Sequence, residues 1–80
     1  MRRTHFLVQP VQSTTLSTAG YDPVSQCLRL EFRSRAVYLY FRVPPHVHDA
    51  LMAAVSKGAY FNRNIRGRFP YQKQSPDTRD

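Results

Sequence analysis

Cysteine, acidic side chains and long apolar runs are all scarce in this 80-residue chain, and each scarcity excludes something. A single cysteine, Cys27, rules out an intramolecular disulfide framework and leaves no second thiol for a zinc knuckle. That usage fits a reducing compartment, and a cytoplasmic location is expected. No run approaches the ~18 apolar residues of a membrane-spanning helix. Arg2 and Arg3 precede only Phe6-Leu7-Val8 before Pro10 interrupts, too short for the apolar region of a signal peptide. No internal repeat is visible.

The shortage of acids is the strongest compositional signal. Twelve Lys and Arg stand against five Asp and Glu, for a net charge of +7. Residues 14–71 hold eight of the cations and three of the acids, so the excess belongs mainly to the folded segment. Seven of those eight cations are Arg, the side chain suited to bidentate phosphate contact and to stacking on bases. A solubilising surface and a polyanion-binding surface both fit such a balance. A chain this short buries only about 60–65% of its unfolded surface, leaving little core for a deep cavity.

Hydrophobic patterning sets out the elements. Ser13 to Tyr21 reads as an edge strand. Asp22 before Pro23 is biased from the helical region, and its carboxylate can accept from backbone N–H groups two residues on. Leu28, Leu30 and Phe32 alternate with Arg29, Glu31 and Arg33, a half-buried strand. Ser34-Arg35 bends the chain into a return strand over Ala36 to Arg42. Pro44-Pro45 stops that strand and suits the first turn of a helix. Val47, Leu51, Ala54 and Val55 then share one face of a helix over about residues 45–55. Ser56 is placed to cap a second helix with Phe61 and Ile65 on one face; Gly58 is alternatively the stop of the first. The expected fold class is α+β, a three-stranded antiparallel β-meander with two short C-terminal helices packed on one face. Residues 1–12 are expected to lead loosely into the domain at 13–71, leaving room for a short extra strand within 4–12. Residues 72–80 are expected to be a disordered tail.

The return strand is apolar on both faces. A two-residue loop at Ser34-Arg35 would set Phe32 opposite Val37 and leave Arg29, Tyr38, Tyr40 and Arg42 on an open face, a platform for base stacking. A three-residue loop with a bulge shifts the register by one. Tyr38 and Tyr40 then join Leu28, Leu30 and Phe32, and Val37, Leu39 and Phe41 need a cover, from the N-terminal segment or a second copy of the chain.

Tyr21-Asp22-Pro23, Leu28-x-Leu30-x-Phe32, Tyr38-Leu39-Tyr40, Val43-Pro44, Ser56-Lys57-Gly58, Tyr60-Phe61-Asn62 and Ile65-Arg66-Gly67-x-Phe69-Pro70 follow in order. Over residues 14–71 this succession resembles the KTSC domain, a small module with a central Tyr-x-Tyr. The family occurs alone in small bacterial and phage-related proteins and at the C-terminus of some lysyl-tRNA synthetases. The resemblance implies a fold rather than an activity, with RNA binding suggested by the attachment to a tRNA enzyme. Family members usually have Gly where this chain has Arg35, which favours the bulged register and implies a positive φ there.

The candidate nucleic-acid-binding residues are Lys57, Arg63, Arg66 and Arg68, with Lys73 nearby and help from Arg29, Arg42, Tyr38 and Tyr40. No acid interrupts residues 50–76. Arg63 and Arg66 lie on neighbouring turns, expected side by side toward solvent. The same cations also read as an ordinary solvated helix face. His46 and His48, two apart on a helix, point to different sides, so no metal or other cofactor is expected. Asp22, Glu31 and Asp49 lack partners at catalytic spacing, and Cys27 lacks a histidine base. The expected function is a small non-catalytic nucleic-acid-binding domain, with RNA as partner and no membrane. The alternative is a protein-interaction or homodimerisation module using Val37, Leu39 and Phe41.

Overall fold

The alternation of Leu28, Leu30 and Phe32 does make the central strand of the fold. In a computed structural model describing residues 7–74, β1 (Leu7–Pro10), β2 (Leu16–Asp22), β3 (Cys27–Phe32), β4 (Val37–Tyr40) and β5 (Tyr71–Gln74) form one sheet, with α1 (Pro45–Ala53) and α2 (Lys57–Asn64) between β4 and β5. Strand order follows chain order, and every neighbouring pair is antiparallel. The two helices lie on one face of the sheet and close the core over Leu16, Leu28, Leu30, Val43, Leu51 and Ile65.

The sheet therefore has five strands, not three. Both additions are edges. β1 falls in the segment expected to be loose, at the short strand allowed for within 4–12. β5 occupies the start of the expected disordered tail, whose remainder lies outside the described residues, as do residues 1–6. All four side chains of β5 are exposed, so backbone pairing with β4 holds the strand and no apolar period advertises it.

The β3–β4 hairpin takes the bulged register. Leu28 stands opposite Tyr40, Leu30 opposite Tyr38 and Arg29 opposite Leu39. Phe32 N–H donates to Ala36 O at 2.9 Å and Arg35 N–H to Phe32 O at 2.8 Å, enclosing Arg33, Ser34 and Arg35 in the loop. Arg35 has φ 79°, the left-handed conformation that glycine adopts without cost. Tyr40 is consequently buried and Tyr38 half-buried on the helix side. The open platform of Arg29, Tyr38, Tyr40 and Arg42 does not form.

The turn between β2 and β3 closes as its residues imply: Asp22 accepts from Val24 N–H at 3.0 Å and from the Ser25 hydroxyl at 2.9 Å. α1 begins with Pro45 and buries Val47 and Leu51. It ends at Ala53, so Val55, expected on the buried face, lies beyond the last turn and is fully exposed. Ser56 Oγ caps α2 by accepting from Ala59 N–H at 3.3 Å, and Phe61 and Ile65 are buried together. Gly58 lies inside α2 rather than stopping α1. A Cβ there would stand 2.6 Å from Thr15 Oγ1, so the missing side chain lets the helix lie against the β1–β2 loop.

Candidate nucleic-acid interface

Three strands and one helix bring five aromatic rings to the same end of the helix-covered face. Phe32 ends β3, Tyr38 and Tyr40 come from β4, Tyr71 opens β5, and Phe61 reaches down from α2. Phe32 packs edge-on against Tyr38 and Phe61 at centroid distances of 5.6 and 5.3 Å. Tyr71 lies 5.7 Å from both Tyr38 and Tyr40, tilted by 47° and 32°. These rings line a groove of about 540 Å3 between β4–β5 and α2, with Arg66 and Asn62 at its edge. The volume falls within the ~300–1,000 Å3 of small-ligand clefts.

Arg66 reaches the groove because the chain turns tightly after α2. Its N–H bonds Phe61 O at 2.9 Å, Arg68 N–H bonds Ile65 O at 3.0 Å, and Gly67 takes φ 75° between them. The Arg66 guanidinium meets Asn62 Oδ1 at 3.5 Å, one turn back along the helix. Lys73 Nζ stands 6.0 Å from the Tyr38 ring centroid. Burial raises the Tyr40 pKa above the usual tyrosine value, the Tyr38 and Tyr71 hydroxyls add to the rise, and Arg66 opposes it. Tyr40 is therefore neutral at neutral pH.

Of the eight residues named from the sequence, Tyr38, Tyr40 and Arg66 meet in this groove. Arg63 and Arg68 are exposed close by along the chain. Lys57 is otherwise engaged: its ammonium donates to Ala54 O at 3.0 Å and so satisfies the end of α1. Arg29 lies on the opposite face of the sheet, paired across from Leu39. Arg42 is exposed just past β4 with φ 62°. Sequence reasoning missed Tyr71, placed at the domain's last residue with no role. An exposed aromatic two positions from Lys73, in a stretch free of acids, was the available signal. Of the alternative contact, Val37 is buried and Leu39 and Phe41 are half-buried within the single chain.

The other titratable groups sit elsewhere. Cys27 is buried, and burial first, then Asp22, raises its pKa. His48 stacks on Tyr21 at 4.6 Å, while His46 is exposed. Among the described residues no three His, Cys, Asp or Glu side chains gather where a metal could be held, and no helix is long and apolar enough to cross a membrane.

Comparison with known proteins agrees with this architecture. The family model of the KTSC domain matches residues 12–69. The chain belongs to the KTSC domain family. A KTSC domain protein from Yersinia pestis, solved by crystallography, superposes with a TM-score of 0.85 at 38% identity, covering 89% of this chain and 100% of that one. A small protein from Tsukamurella paurometabola is 48% identical over 62 residues, 78% of this chain and 92% of its own length. A lysine–tRNA ligase from Nostoc sp. is 47% identical over 69 residues, covering 86% of this chain. The chain spans 12% of that ligase's length. None of these likenesses indicates a catalytic family.

Proposed function

We propose that this KTSC domain is a non-catalytic nucleic-acid-binding module that holds phosphates with the arginines at the end of α2. The observation that carries the reading is the position of Arg66, at the mouth of an aromatic groove and flanked in sequence by exposed Arg63 and Arg68. Residues 50–76 contain no acid to repel a polyanion. RNA is the favoured partner, because a related segment forms part of a lysine–tRNA ligase, whose name makes tRNA its substrate. That argument is one of analogy, since fold alone does not determine function. Lys57 drops out of the contact set, its ammonium being held by the end of α1. Dimerisation through Val37, Leu39 and Phe41 has less to draw on, the first being buried already.

The test is a salt titration of binding to single-stranded RNA by fluorescence anisotropy. Three to five phosphate contacts give a slope of log K against log salt of about −2 to −3.5. Replacing Arg63 and Arg66 together with Gln flattens that slope by about 1.4, with little change in stability because both are exposed. Unchanged affinity in the double variant removes this surface as the binding site. An apolar dimer interface would instead persist or tighten with salt.

A further inference from the structure

We propose that the groove between β5 and the end of α2 receives an unstacked base of a single strand on the Tyr71 ring, with Arg66 and Lys73 holding the adjoining phosphates. This deepens the nucleic-acid reading and rests on it. Tyr71 is 59% exposed although it packs against the rings of Tyr38 and Tyr40. Its neighbours Tyr38 and Tyr40, at 5.7 Å, are tilted by 47° and 32°, so neither stacks flat on the Tyr71 ring. Phe32 and Phe61 make the apolar floor, and the buried, protonated Tyr40 hydroxyl adds no negative charge there. Two cations stand nearby, Arg66 in the groove wall and Lys73 with its ammonium 6.0 Å from the Tyr38 ring centroid. A cleft lined by five rings, with Arg66 in its wall and Lys73 beside Tyr38, matches the chemistry of a nucleotide, a flat ring joined to an anion. An acidic peptide without aromatic side chains would leave the rings unused, and a plain aliphatic ligand would leave the cations idle. Bases within a duplex have both faces occupied by neighbours, so the slot selects single strands.

The test uses the full chain and two labelled strands of about 12 nucleotides, a span within the usual reach of small single-strand-binding domains. One is oligouridine; the other carries the same phosphates with every base removed. The expected result is about 5- to 150-fold tighter binding of the base-bearing strand for each base stacked. Tyr71→Leu, which keeps apolar bulk but loses the π-face, should erase that preference and leave affinity for the abasic strand unchanged. Tyr71→Phe should retain it. Equal binding of both strands by the wild-type chain overturns the base slot while leaving the phosphate contacts standing. A preference that survives in Tyr71→Leu overturns the assignment to this groove. Failure to bind either strand at about 50 mM salt, where phosphate contacts are strong, overturns both readings together.

Discussion

Tyr21 and Tyr71 are both tyrosines on the helix-covered face of one sheet, and they end in opposite circumstances. Tyr21, under α1, is 5% exposed, its hydroxyl donates to the Val43 carbonyl, and its ring stacks on His48. Tyr71, beside the end of α2, packs against Tyr38 and Tyr40 yet remains 59% exposed. At the Tyr21 end ring and hydroxyl are both engaged, although Tyr21 and His48 also border a smaller cavity of about 250 Å3. The Tyr71 end opens on the larger groove, with Arg66 in its wall and no acid among its lining residues. Aromatic content alone does not mark a binding surface. What separates the two ends is whether the polar tip and the ring faces are already spoken for.

The largest effect that would break this comparison is at Tyr40, where the open groove meets the core. Tyr40→Ala leaves a cavity under α2 and is expected to cost about 3–5 kcal/mol. Denaturant titration measures it, and a loss below about 1 kcal/mol would mean that the groove extends deeper than the burial of this ring allows. Next comes Tyr21→Phe, which keeps the stack on His48 but strips the donor from the Val43 carbonyl. Leaving that buried carbonyl unpaired is expected to cost about 1–3 kcal/mol, with no change in nucleic-acid affinity. A change in affinity would join the two ends that the comparison separates. The smallest effect is at the hairpin that sends Tyr38 and Tyr40 inward. Arg35→Gly relieves a positive φ and should stabilise the domain by about 0.5–1 kcal/mol, net of glycine's extra freedom when unfolded. Destabilisation would show that Arg35 earns its strained backbone through contacts of its side chain.

Much of the framework was legible in the residues. Asp22-Pro23 announced its turn, Ser56 its cap, and Phe61 with Ile65 their shared face, because each rests on interactions a few residues apart. The register of β4 was not, since its side chains are apolar on both faces and period two cannot choose between them. Family habit, with a glycine usual at position 35, was what pointed to the bulge. β5 was missed for a different reason. Edge pairing satisfies backbone groups and asks nothing of Tyr71, Gln72, Lys73 and Gln74, which look like a solvated tail. The groove inherits that blindness: Arg66, Tyr38 and Tyr40 were named, but the tyrosines were read either as core or as an open platform, not as one surface with Arg66. Only the strand that could not be read joins them. Val55 misled because a helical period persists in the sequence two residues past the point where the helix stops.

The glycine inside α2 sets a dimension of the molecule that it does not itself border. With no side chain at position 58, the helix rests directly on Thr15, and Thr15 is also part of the groove wall. The aperture is thus calibrated from behind, by the thickness of a spacer that is absent. Any methyl group added there acts as a shim against Thr15, and because a helix is rigid along its length, it would carry Asn62 and the Arg66 turn with it. A residue that lines no part of the groove thus bears on its width through Thr15.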